Sequence, residues 1–245
     1  MALADADHKH SNQHTAEKPK DAVEHSEVIF QAIGVIVGEV NISSSGEKTI
    51  TINGSTYQFF YIPRKVREFE LLAKEIETTG NHTQRLLVYP RVMHFPRKEQ
   101  PYQISFQLLA FDRGQERDVY LRKLKDFEFH LSGLWQFIPV CRFPCISIFR
   151  NFSFERLEYI KQAEPMTKVQ YMKASHLPIL WKDALVEPFK FNPKAEQDQG
   201  YPMFVSIKAK FIPQKNVFSF DALLSLPQET LPRFLKVSKR LFEKF

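Results

Sequence analysis

Cations interleaved with flat aromatic rings recur along this sequence. Tyr57, Phe59 and Tyr61 run into Arg64, Lys65 and Arg67; Tyr89 and Arg91 lead into His94, Arg97, Lys98 and Tyr102; Trp181 adjoins Lys182. Lys208 and Lys210 stand two apart, on one face of a strand. Arg142, Arg150, Lys190 and Lys194 sit among Trp135, Phe137, Phe143 and Phe191. A single strand of nucleic acid calls for both residue types: cations follow its phosphates, and rings stack its bases at about 1–3 kcal/mol each. In that chemistry Arg64, Lys65, Arg91, Arg97 and Lys98 neutralise phosphates, while Tyr89 and Trp181 stack. The competing assignments are structural. Aromatic side chains also fill β cores, and alternating lysines also discourage edge-to-edge pairing.

Catalytic constellations are missing from the sequence. Residues 46–49 have the letters of a phosphate loop but lack the adjacent Gly-Lys that lets backbone amides surround phosphate. GxGxxG, GxSxG and HExxH do not occur. His82, His94, His130 and His176 have no nucleophile within sequence reach. Cys141 and Cys145 match no zinc or redox spacing and are expected as buried small hydrophobes. His8, His10, His14 and His25 lie in a polar stretch with nothing to fix a metal geometry. The expectation is a noncatalytic protein without metal or cofactor.

The elements that must position these residues read as strands. Twenty-three phenylalanines and only eight glycines in 245 residues favour pleated, half-buried surfaces over long helices. A 43% apolar, 25% charged composition excludes wholesale disorder, and no apolar run approaches the roughly 18 residues of a spanning helix. Residues 1–27 carry six carboxylates against three lysines, so with +6 on the whole chain the remainder carries +9. Such a surplus attracts polyanions. The polar first 27 residues lack a signal-peptide core and read as a disordered tail, so the expected setting is the cytoplasm, away from membranes.

Residues 28–40 read as a strand interrupted by Gly34 and Gly38, followed by a turn at 41–47 and a strand at 48–52. Asn53-Gly54 is a hairpin dipeptide returning into 56–62. Alternation points Tyr57, Phe59 and Tyr61 one way and Phe60 and Ile62 the other. It also sets Leu87, Tyr89 and Arg91 opposite Val88 and Val92. Val66, Phe69, Leu72, Ala73 and Ile76 have helical spacing over 64–78, Gly80 is a stop, and 85–95 and 102–111 are further strands. Three strands, a helix and two strands is the chain order of an OB-fold, which this segment resembles in architecture.

The same grammar recurs: the surroundings of Gly34 resemble those of Gly133, 104–111 resembles 204–211, 85–89 resembles 177–181, and 68–76 resembles 155–163. A duplicated unit follows. Residues 218–226 and 227–245 read as helical, Leu231, Phe234, Leu235, Leu241 and Phe242 lying opposite Arg233, Lys236 and Lys239. The expected fold class is mainly β with short helices: two tandem OB-like five-stranded barrels plus a C-terminal helical extension. The divisions are a tail at 1–27, OB-like units at 28–113 and 126–213 joined by a connector at 114–125, and the extension at 214–245.

Segments 132–139 (SGLWQFIP) and 80–83 (GNHT) resemble a group of cyanobacterial proteins over about residues 30–235. That resemblance implies a bacterial cytosolic setting and transfers no functional residue. The functional expectation is binding of single-stranded RNA, ahead of DNA, with Arg67, Lys182, Lys208 and Lys210 completing the basic surface. The alternative is a protein-interaction scaffold that uses the barrels and the C-terminal helix to hold a partner.

Overall fold

A single strand, β1 (Gln31–Ile42), pairs in succession with three neighbours, and the fold is organised around it. In this computed structural model, which describes residues 28–43, 46–96, 100–114 and 118–235, its start runs beside β6 (Glu128–Gln136), its middle beside β4 (Thr83–Met93) and its end beside β2 (Lys48–Ile52). Glycine makes this possible at two points. A Cβ at Gly34 would fall 2.1 Å from the Phe129 ring, and one at Gly38 would fall 2.7 Å from the Thr51 carbonyl oxygen.

The hairpin from β2 to β3 (Ser55–Phe60) turns on Asn53 and Gly54, both with positive φ (47° and 81°), as a primed turn requires. After a 3-10 turn at Pro63–Lys65 comes α1 (Val66–Thr79), which buries Phe69, Leu72 and Ile76 and stops at Gly80, φ 66°. β4 and β5 (Gln103–Phe111) complete the set. The pairings β1–β2, β2–β3, β3–β5, β5–β4 and β4–β1 close a five-stranded barrel, with β3–β5 the parallel pair. This architecture is consistent with an OB-like fold. Asp118 then caps α2 (Val119–Lys123), and Leu121 and Leu124 cover Val35 and Leu87 on the barrel's outside.

The second half contains β6, β7 (Cys145–Ile148), α3 (Phe154–Gln162), α4 (Pro165–Met172), β8 (Ser175–Leu180), β9 (Phe204–Ile212) and β10 (Val217–Gln228). Its strands pair in the same order and orientation as the first five, β8–β10 being parallel through Phe218↔Ile179 and Ser219↔Leu180. Its helices, however, lie between its second and third strands. The connection from β8 to β9, which corresponds to the position of α1, contains no helix.

Three expectations are corrected. Gly133 matches Gly38 rather than Gly34: its Cβ would lie 2.5 Å from the Ser147 carbonyl oxygen on β7, as that of Gly38 lies against Thr51 on β2. Accordingly 204–211 occupies the place of β4, not β5, and 177–181 overlaps the place of β3. The segment 218–226 is strand, not helix, because β9 offers it an antiparallel ladder along its length; its leucines mimic helical spacing while Leu224 and Leu226 face solvent. Residues 231–235 are not helical either: Phe234 packs on Phe30 and Phe149 at 5.5 and 4.7 Å. The rest of the expected extension, 236–245, and the tail 1–27 lie outside the described residues.

Phenylalanine knits the halves together. Phe211 on β9 makes ring contacts with Tyr57 and Phe106 of the barrel at 5.6 and 5.4 Å, and with Phe129 and Phe218 at 6.3 and 5.1 Å. All five side chains are buried. Among the described residues no helix is long and apolar enough to cross a membrane.

Candidate nucleic-acid interface

The outer faces of β3, β5 and β4 form one wall of a groove of about 1030 Å³, and the segment from Ile148 through α3 to Ser175 forms the other. On the barrel wall, register sets the side chains in rows. Phe60 lies opposite Gln107 and Gln107 opposite Tyr89, while Ser105 lies opposite Arg91. Arg91 Nη2 donates to Gln107 Oε1 at 3.0 Å, and its guanidinium sits 5.4 Å from the Phe60 ring centre. Inward neighbours on the same strands, Val88, Phe59 and Phe106, belong to the core. Alternation therefore creates the wall.

The opposite wall is tied down by Asn151, whose side chain accepts from the Phe30 N–H and donates to the Phe30 carbonyl, both at 2.8 Å. This pair of hydrogen bonds mimics a strand partner and holds the adjacent Arg150 at the groove. Ser153 caps α3 by accepting from the Arg156 N–H at 3.3 Å. The Arg150 and Arg156 guanidinium groups lie 5.0 and 5.6 Å from the Tyr171 ring centre, and Arg156 Nη2 donates to Tyr171 Oη at 2.9 Å. A bond from the Val92 N–H to Ser175 Oγ, 3.3 Å, joins the walls at one end.

The electrostatics of the groove are one-sided. Arg91, Arg150, Arg156 and Lys173 line it, and among the described residues no Asp or Glu does. None of these four cations has an ion-pair partner among the described residues. Burial pushes the Tyr89 phenol up to about 12 even though Arg91 and Arg150 pull it down, so it stays a neutral donor at any physiological pH. The Tyr89 hydroxyl makes no hydrogen bond among the described residues. Guanidinium groups placed beside rings can still offer N–H groups to phosphate oxygens, and Phe60, Tyr89 and Phe152 add aromatic surface along the same groove.

Of the residues read from the sequence, Tyr89 and Arg91 come together here, joined by Arg150. Arg64, Lys65 and Arg67 sit at the start of α1, outside the groove, Arg64 and Arg67 exposed. Arg97 and Lys98 lie outside the described residues. Trp181 is half-buried, with Phe220 stacked on it at 4.5 Å and 3° and Trp135 at 5.3 Å, while Lys182 is exposed beside it. Lys208 pairs with Glu128 at 3.2 Å and Lys210 is exposed on the same strand. The aromatic face expected from Tyr57 and Phe59 is a core face, 6% and 2% exposed; the opposite face, with Phe60 and Ile62, reaches the groove.

Arg156, Tyr171 and Lys173 were not picked out from the sequence. The available signal was a basic-aromatic composition in 150–174, a segment without clear periodicity. Away from the groove, His94, Cys141 and Cys145 form a tight group of metal-ligating side chains. No protein-family model matches the sequence, and neither does any curated protein.

Proposed function

We propose that this protein binds single-stranded nucleic acid in the groove, without catalysing a reaction on it, and prefers RNA. The observation that carries this reading is a set of four cations without carboxylate partners, interleaved with aromatic rings along one groove. Folded proteins ordinarily pair such cations or leave them dispersed in solvent. A converging set framed by rings suits a chain of phosphates with bases between them. The Tyr89 hydroxyl, Ser105 and Gln107 offer hydrogen bonds along the barrel wall that a ribose 2′-OH can use, which is the reason for placing RNA ahead of DNA. We read the second circuit of strands as a second OB-like barrel that buttresses the far wall, and the setting as cytosolic.

The competing reading is a protein scaffold, and it rests on the exposed apolar side chains Leu185, Phe191, Tyr201 and Leu226. Titrating labelled single-stranded RNA and DNA at several salt concentrations separates the two. Four phosphate contacts give a log–log salt slope of about −3, at roughly 0.7 per contact. No binding even at low salt would remove the nucleic-acid reading and leave the scaffold.

A further inference from the structure

His94 follows the end of β4 and faces the loop that leads from β6 into β7. The loop carries Cys141, and Cys145 opens β7; His94 and Cys141 line a cavity of about 350 Å³. One ligand atom from each of His94, Cys141 and Cys145 can be chosen so that all lie within 4.8 Å of one another. We propose that these three side chains bind a zinc ion.

The distances suit that ion. Tetrahedral zinc with Zn–S near 2.3 Å and Zn–N near 2.05 Å has an S···N edge of about 3.6 Å and an S···S edge of about 3.8 Å. Cys141 Sγ already lies 3.5 Å from each ring nitrogen of His94, so one edge is in place, and with one of those nitrogens the remaining edges, all within 4.8 Å, close with shifts of about an ångström.

The imidazole is also oriented for the task. His94 Nε2 lies 2.7 Å from the His176 carbonyl oxygen, and a carbonyl only accepts, so Nε2 carries the proton and Nδ1 keeps its lone pair for the metal. A histidine ligand whose other nitrogen donates to a backbone carbonyl is the usual outer support of a metal site. The His176 ring is itself held by Ser147 Oγ at 2.8 Å from Nδ1. Cys145 donates its S–H to the Phe143 carbonyl at 3.2 Å; metal binding releases the thiol protons of both Cys141 and Cys145 to solvent and replaces the S–H···O contact by a Zn–S bond. Thiolates with an imidazole select zinc over hard cations such as magnesium, and the cavity has room for water as a fourth ligand.

Cobalt(II), zinc's coloured substitute, tests the site in the full chain under reducing conditions. One equivalent is expected to give a thiolate-to-cobalt charge-transfer band with tetrahedral d–d absorption, both erased by added Zn²⁺. The chain has only two cysteines, so histidines elsewhere cannot produce the sulfur band. Cys141→Ser and Cys145→Ser are each expected to reduce it, and His94→Ala to alter the d–d region. As a measurement that needs no variant, Zn²⁺ is expected to protect both thiols of the wild-type chain from alkylation, and a chelator to restore their reactivity. Cobalt binding without a sulfur band, or thiols alkylated equally fast with and without Zn²⁺, would overturn the proposal.

Discussion

Arg85 and Arg156 are the same residue type put to opposite uses. Arg85 Nε donates to Asp126 Oδ1 at 2.7 Å, and its terminal nitrogens donate to Asp112 Oδ2 at 3.5 Å and to the Leu121 and Leu124 carbonyls at 2.8 and 2.7 Å. It fastens α2 and the adjoining chain to the barrel. Lys208 likewise serves Glu128, with His130 Nε2 at 4.0 Å from the same carboxylate. Arg156 has no such carboxylate among the described residues; its hydrogen-bond partner there is the Tyr171 hydroxyl. Lysine and arginine counts alone would treat these cations alike. What separates the two groups is whether the fold itself provides the counter-charge.

The sharpest test removes a paired cation. Arg85→Ala leaves two carboxylates and two carbonyls without their donor, and is expected to cost about 3 kcal/mol in urea unfolding while RNA affinity at low temperature stays as it was. Replacing both Arg91 and Arg156 by alanine should reverse that pattern. Affinity is expected to fall about tenfold per cation and the salt slope to shrink by about 1.4, with the unfolding midpoint little changed. Arg64→Ala with Arg67→Ala serves as the control, and a loss equal to that of the groove pair would move the interface to the start of α1.

Tyr89 sharpens the contrast at a single ring. Tyr89→Ala is expected to weaken RNA binding by about 1–3 kcal/mol, whereas Tyr89→Phe keeps the stack and loses only the hydroxyl. An alanine variant that unfolds would instead mark Tyr89 as core packing. The smallest effect belongs to the paired cluster. Burial holds the His130 imidazole below its ordinary range, assisted by Lys208 and Lys123 and opposed by Glu128. The unfolded chain therefore takes up a proton first as pH falls through about 6.5, and the native state loses stability in that window. His130→Gln should flatten this limb in a melting series from neutral to mildly acidic pH.

The first barrel was legible in the sequence because its signals are local: Asn53-Gly54 sets a register, Gly80 ends a helix, and alternation sorts Val88 from Tyr89. The second half was misaligned for a physical reason. A glycine is placed by what crosses it, and only the carbonyls of Thr51 and Ser147 reveal that Gly38 and Gly133 do one job. β10 imitated a helix because leucine spacing is ambiguous and its partner strand is fixed only by folding. In the groove, Tyr89 and Arg91 could be read from one strand, but Tyr171 belongs to α4, in the half of the chain that Asn151 ties to Phe30. The cysteines were opaque because their histidine lies 47 residues from Cys141.

The continuous course of β1 past β6, β4 and β2, with Phe211 wedged among rings from both halves, has a mechanical outcome. The molecule cannot come apart at 114–125 without stripping β6 from β1 and opening a shared oily centre. Calorimetry should record one melting event, and fragments ending or beginning in that connector should stay soluble only when expressed together.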